Sequence, residues 1–126
     1  KVETVRHCSG KVLLLEDNPV IALDTEALLL EIGAEGVVVA DNVEQALRFI
    51  DETQFDLAVL DINLGGQTST EVADKLVERG VPFLFITGYD KTENLVQLYP
   101  SVVIVVKPYD YSILSQAIKK TISQSN

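Results

Sequence analysis

Val12-Leu13-Leu14-Leu15-Glu16-Asp17-Asn18-Pro19 runs four aliphatic residues into two acids and an Asn-Pro pair. Four apolar residues with no polar alternation read as a strand buried on both faces, as inside a parallel sheet. Asn before Pro reads as a helix entry. The Asn side chain accepts the first free amides, and Pro, with no N–H to lose, suits the first helical position. The octet is therefore a strand, an acidic turn and a helix start.

The same grammar repeats outward. Residues 12–15, 37–40, 57–60, 81–86 and 102–106 are the predicted strands. The helix entered at Asn18-Pro19 is expected to bury Ile21, Leu28 and Ile32 and to stop at Gly33. A second starts near Asn42 and buries Val43, Ala46, Leu47 and Ile50 at helical spacing. A third opens on the capping-box pattern Thr68…Glu71, buries Val72, Ala73, Leu76 and Val77, and ends at Gly80. Residues 91–99 carry few apolar side chains (Leu95, Val96, Leu98) and predict a short, weakly held helix closed by Pro100. The last begins near Asp110 and aligns Leu114, Ala117, Ile118 and Ile122. Five strands alternating with five helices predict a single α/β domain over residues 10–124, a (βα)5 doubly wound parallel sheet. Residues 1–9, which include the lone His7 and Cys8, show no period and read as an N-terminal arm, disordered or tag-derived.

Composition narrows the function classes. At 126 residues the chain suits one domain with one continuous core. A single cysteine excludes an internal disulfide and a Cys-based zinc site. No apolar run approaches the roughly 20 residues that span a bilayer, and no signal peptide is visible, so a cytoplasmic domain with no membrane contact is expected. With 19 acids against 10 Lys and Arg, the net charge of −9 repels phosphate backbones and argues against direct nucleic-acid binding.

In open parallel sheets, chemistry sits outside the carboxyl ends of the strands. Those ends carry Glu16-Asp17, Asp41-Asn42, Asp61, Thr87-Gly88 and Lys107-Pro108. Each has a plain alternative, since Asp, Asn and Thr after a strand cap helices and Lys-Pro makes surface turns. Asp41-Asn42 reads mainly as a cap. The others together place three carboxylates, a hydroxyl and an amine on one edge. Clustered carboxylates raise one another's proton affinity unless a cation neutralises them. An all-oxygen set suits a hard cation, Mg²⁺ before Ca²⁺. Beside such a cation, a carboxylate can attack phosphorus and form an acyl phosphate, with the hydroxyl and the lysine holding the phosphoryl oxygens.

Val-Leu-Leu-Leu-Glu-Asp-Asn at 12–18, Leu-Ala-Val-Leu-Asp-Ile-Asn-Leu at 57–64, Phe-Ile-Thr-Gly-Tyr at 85–89 and Val-Lys-Pro-Tyr at 106–109 resemble the response-regulator receiver domain of bacterial two-component systems. The resemblance implies the flavodoxin-like strand order 2-1-3-4-5. It also implies that Asp61 accepts a phosphoryl group from the phosphohistidine of a sensor histidine kinase or phosphotransfer protein. Mg²⁺ is the implied cofactor, held by Asp17 directly, by Glu16 mainly through water, by Asp61, and by the main-chain carbonyl of Asn63. Thr87 would contact the phosphoryl group, Lys107 would pair with it, and the Lys107–Pro108 bond would be cis. A receiver of this kind catalyses its own phosphorylation and dephosphorylation but is not otherwise an enzyme. It signals through the face of helix 4, strand 5 and helix 5.

Two departures from the common receiver pattern stand out. Asn63-Leu64-Gly65-Gly66-Gln67 replaces the usual Met-Pro and following Gly, and Ile104 stands where an aromatic switch residue is expected. Together with Pro82-Phe83-Leu84-Phe85-Ile86-Thr87-Gly88-Tyr89, these resemble the subgroup called FAT GUY, with Ile86 in the Ala position. That subgroup implies a kinase of the HWE or HisKA2 kind. Without a ring at Ile104, residues 90–100, directly after Thr87-Gly88, are the expected bistable element. Three other classes are weighed. Haloacid-dehalogenase phosphohydrolases carry Asp-x-Asp after the first strand, unlike Asp61-Ile62-Asn63 after the third. A flavin carrier conflicts with the acidic turn after the first strand. A pseudo-receiver that binds without phosphorylation is countered by the presence of all five acceptor-site side chains.

Overall fold

Among the described residues, ten elements alternate strictly: β1 (Lys11–Leu15), α1 (Pro19–Ile32), β2 (Gly36–Ala40), α2 (Val43–Glu52), β3 (Leu57–Asp61), α3 (Thr70–Arg79), β4 (Phe83–Thr87), α4 (Glu93–Leu98), β5 (Ile104–Val106) and α5 (Tyr111–Gln124). The computed structural model describes residues 10–64, 68–88 and 93–124. The expected arm over residues 1–9 lies outside the described residues, as do residues 65–67, 89–92 and 125–126.

The strands form one parallel sheet in the order β2-β1-β3-β4-β5, the order expected from sequence. Because strand side chains alternate faces, the central strands feed two cores. Leu13, Leu15, Ala58, Leu60, Phe83 and Phe85 pack against α2 and α3 and against Leu95 of α4. Val12, Leu14, Leu57, Val59, Leu84 and Ile86 pack against α1 and α5. Burial on both faces holds for β1, β3 and β4. It fails at the edges, where Val37, Val38 and Val39 of β2 are half-buried and Val106 of β5 is 51% exposed.

Helix entries follow local chemistry. Asn18 Oδ1 accepts from the amides of Val20 at 3.0 Å and Ile21 at 3.2 Å, and Asn42 Oδ1 accepts from Gln45 N at 2.8 Å. The pattern Thr68…Glu71 does not form a capping box. Ser69 is the N-cap and makes no side-chain cap bond, while Thr68 Oγ1 lies 3.0 Å from Thr70 Oγ1. The third-helix stop is as expected: Gly80 has φ 72°, and Val81 N closes back on Leu76 O at 2.9 Å. That bond spends Val81 on the helix end, so β4 starts at Phe83 rather than at 81. Similarly, Val102 N turns back to Tyr99 O at 3.1 Å, and β5 begins at Ile104 rather than at 102.

Two helical faces differ from their expected positions. The inner face of α1 is Ala22, Thr25, Leu29 and Ile32, with Ile21 and Leu28 at its margins. This helix has aliphatic residues on several sides, with Val20, Leu23 and Leu30 exposed, so periodicity alone does not orient it. Val77, expected in the α3 core face, is 60% exposed. At 100° per residue it lies about 90° round from the middle of the arc of Val72, Ala73 and Leu76.

The short α4 buries Leu95 but leaves Val96 and Leu98 exposed. Its end is held by Tyr99, whose ring centroid lies 5.5 Å from Phe85 and 6.0 Å from Phe83. The Tyr99 hydroxyl donates to Asp74 Oδ1 on α3, and also reaches Thr70 O at 3.3 Å. Burial, then the Asp74 carboxylate, push this phenol up to about 12. Tyr99→Phe keeps the ring and deletes the tie between α4 and α3. A stability loss of about 1 kcal/mol is expected in urea melts. Faster amide exchange over Leu95–Leu98 is expected alongside it, and an unchanged exchange profile would show that the ring alone holds the helix.

Candidate functional site

Register assembles the site. Leu15 pairs with Ala40 and Leu60, Asp61 with Ile86, and Thr87 with Val106, so the carboxyl ends of the four strands β1, β3, β4 and β5 lie level. The ladder continues one residue further at each key position. Glu16 N donates to Ala40 O at 3.0 Å, Ile62 N to Ile86 O at 3.0 Å and Lys107 N to Thr87 O at 2.7 Å. Glu16, Asp61, Thr87 and Lys107 are thus set on backbone fixed by the sheet, where loops alone would hold them less rigidly.

Burial divides the residues. Glu16 is 2% exposed, Asp61 1% and Thr87 0%, whereas Asp17 faces solvent. Lys107 Nζ lies 3.0 Å from Asp61 Oδ2 and 3.5 Å from Glu16 Oε1. The other Asp61 oxygen accepts from Asn63 N at 2.9 Å, and Glu16 Oε2 accepts from Asn18 N at 3.2 Å. Burial and then the Asp61 carboxylate raise Glu16 to about 7, against the opposing pull of Asn18 and Lys107. Burial lowers the proton affinity of Lys107, but the Asp61 and Glu16 carboxylates outweigh it and raise the ammonium above its usual range. The Lys107–Pro108 peptide is cis, as the resemblance implies.

Glu16, Asp17 and Asp61 each offer a carboxylate oxygen, all within 4.8 Å of one another. With all three carboxylates ionised, the one ammonium leaves two negative charges, which one divalent cation balances. The donors are all oxygen, and the exposed Asp17 leaves room for retained water, so the residues fit Mg²⁺. Gly88 keeps the approach open: a Cβ there would lie 3.4 Å from Asn63 Nδ2 and 3.9 Å from Lys107 Cδ. Asp41-Asn42 is a cap, as its sequence suggests, with Gln45 Oε1 accepting from Asp41 N at 2.8 Å.

Two side chains with notable partners carry no motif signal. Thr25, 2% exposed in α1, is hydrogen-bonded to the hydroxyl of Tyr109, two residues beyond Lys107. The signal available for it was a hydroxyl residue on the inner face of an aliphatic helix. Tyr99 was legible only as the last residue of the weak helix, since its ring partners lie on another element.

Comparison with known proteins agrees with this geometry. The sequence profile of the family described as "Response regulator receiver domain" matches residues 12–119. The chain is 29% identical to the sensory transduction protein LytR of Staphylococcus haemolyticus, over 92% of this chain and 48% of that protein. It is 27% identical to the transcriptional regulatory protein LytR of Staphylococcus aureus, over 87% of this chain and 46% of that protein. The chain therefore spans about half the length of these relatives. Among solved structures, SdrG of Sphingomonas melonis is 30% identical with a TM-score of 0.74, covering 94% of this chain and 99% of that one. TrrA of Thermotoga maritima, solved with Mg²⁺ and BeF, is 25% identical with a TM-score of 0.78, covering 89% of this chain and 98% of that one.

Proposed function

Because this chain belongs to the family of response regulator receiver domains and works in two-component signalling, we propose that Asp61 is its phosphoacceptor. The observation that carries this reading is a buried Asp61 carboxylate held at 3.0 Å by Lys107 Nζ. Glu16 and Asp17 stand beside it as cation ligands. In the reaction, an Asp61 oxygen attacks phosphorus as the P–N bond to the donor imidazole breaks. The electron pair of that bond stays on the imidazole nitrogen, which then takes a proton. Hydrolysis reverses the state: water attacks phosphorus, the P–O bond to Asp61 breaks, and carboxylate returns with inorganic phosphate.

Mg²⁺, held by Glu16, Asp17, Asp61 and the carbonyl of Asn63, would supply charge neutralisation for the phosphoryl oxygens. The chain's own contributions are separable. Lys107 pairs with a phosphoryl oxygen once the Asp61 charge is spent, and the Thr87 hydroxyl donates to another. Gly88 leaves the donor a path in. The domain in this way promotes its own phosphorylation and dephosphorylation. Acetyl phosphate, as a kinase-independent donor, should add one phosphoryl group by intact mass in the presence of Mg²⁺. Formation of the adduct in excess chelator would overturn the metal dependence.

The same reading extends to partners. A histidine kinase or phosphotransfer protein is the donor, and the motif over residues 82–89 supports the FAT GUY subgroup with an HWE or HisKA2 kinase. Output through the face of α4, β5 and α5 is supported by exposed Val96, Val106 and Ile113, which lie on those elements. None of the described helices is long and apolar enough to cross a membrane, which supports a cytoplasmic place of action, and the net charge of −9 supports a domain that does not itself bind nucleic acid. Residues 10–124 act as the receiver unit in this reading.

Metal binding has a thermodynamic signature. At about 100 times the dissociation constant, Mg²⁺ should stabilise the fold by roughly 2.7 kcal/mol. Asp17→Asn should abolish that gain and relieve part of the repulsion in the metal-free protein. Thermal melts with Mg²⁺ and with chelator measure both. A Mg²⁺-induced rise in Asp17→Asn equal to that of the parent would remove Asp17 from the ligand set.

A further inference from the structure

The exit of β5 is short of backbone anchors where the site needs precision. Lys107 N is fixed to Thr87 O at 2.7 Å, but the next residue is Pro108, which has no amide hydrogen to extend the ladder. Backbone order resumes with Asp110, whose carboxylate accepts from Ile113 N at 2.9 Å and whose carbonyl accepts from Leu114 N at 3.0 Å. Between these points Tyr109 reaches across to α1 and hydrogen-bonds Thr25 Oγ1 at 2.5 Å.

Thr25 is the counterpart that needs explaining. It sits on the inner face of α1 with Ala22, Leu29 and Ile32, and is 2% exposed. A buried hydroxyl in apolar surroundings is costly unless it is hydrogen-bonded, and a β-branched polar residue adds nothing to helix propensity. Tyr109 satisfies it. A groove of about 230 Å³ lies beside the pair, lined by Ile21, Asp24, Leu28, Lys107 and Pro108 as well. The ring packs on the core with one side and borders this groove with the other, so it has space to shift on the groove side if the bond is lost.

We infer that Thr25 and Tyr109 are positioning residues: their hydrogen bond pins the loop after β5 to α1 and so fixes where Lys107 Nζ meets Asp61 and Glu16. The inference rests on the proposed roles of Asp61 and Lys107, but its structural half is testable without phosphorylation. Thr25→Val and Tyr109→Phe each delete the bond and keep the shape, and Thr25→Ser retains the hydroxyl.

The experiment follows the Lys107 Nζ and Cε resonances in the unmodified protein, together with the rate of acetyl phosphate labelling in Mg²⁺. Both deletions should move the Lys107 resonances alike, and the double variant should move them no further. Labelling should slow by roughly threefold to tenfold, the kinetic equivalent of one neutral hydrogen bond. Thr25→Ser should restore both readouts. Unmoved Lys107 resonances in both deletions would overturn the inference, even with a lower melting temperature, because the pair would then be structural only. A parent protein that takes no phosphoryl group would instead overturn the proposed function, while the resonances still decide the positioning claim.

Discussion

Asp61→Asn is expected to abolish uptake of a phosphoryl group while leaving the fold standing. The amide is nearly isosteric and its oxygen can still accept from Asn63 N, the partner that Asp61 Oδ1 holds at 2.9 Å. It lacks the negative charge that makes a carboxylate oxygen a nucleophile. Lys107 keeps Glu16 at 3.5 Å as a partner, so its ammonium is not stranded. Losing the Asp61 charge also relieves Glu16, which burial and Asp61 together raise to about 7. The loss of the ion pair and the relief of repulsion oppose each other, so the stability change should stay within about 1–3 kcal/mol. Intact mass after acetyl phosphate treatment reads the first effect and urea denaturation the second. A phosphoryl adduct on the folded variant would move the acceptor away from Asp61.

Phe85→Ala should be the most damaging single change to stability. Phe85 is 0% exposed in β4, two residues before Thr87, and its ring meets Phe83 at 5.6 Å and Tyr99 at 5.5 Å. Alanine removes a whole ring from a close-packed core, and the sheet beneath it cannot collapse to fill the space. Such truncations cost about 3–5 kcal/mol. A domain of this size has only about 5–15 kcal/mol in total. Phe85→Leu, which fills most of the volume, should cost about half as much or less. Chemical denaturation of both variants gives the comparison. Equal, small losses would mean that the aromatic cluster is loosely packed. Because Tyr99 rests on this ring, α4 should loosen before the sheet does, visible as faster exchange at Leu95–Leu98.

Much of the architecture is legible in the sequence. Unbroken aliphatic runs such as Val12–Leu15 are stable only where both faces are covered, and Asn18 and Gly33 bracket α1 by chemistry that acts within a few residues. The candidate site was legible for a related reason: Glu16, Asp61, Thr87 and Lys107 each follow directly on an apolar run, and parallel strands align their carboxyl ends. What failed involved competition between neighbours. Thr68 and Ser69 both precede α3, and Ser69 took the cap position. Val81 reads as strand, but the Gly80 turn claimed its amide. Val77 matches the helical period yet lies at the margin of an arc that only packing against the sheet defines.

Sequence alone determined the order and type of the elements, the strand-end carboxylates and lysine, and the oxygen-only donor set, because these depend on local pattern and on side-chain chemistry. Tertiary structure alone decided the rest. It chose which face of the aliphatic-rich α1 turns inward, brought Lys107 Nζ to 3.0 Å from Asp61 across 46 residues of chain, set Tyr99 on Phe83 and Phe85, and joined Thr25 to Tyr109. The physical reason is common to all four. Each depends on side chains far apart in the chain, brought together by how sheet and helices pack rather than by the propensity of either partner, and no period or motif within one segment encodes it.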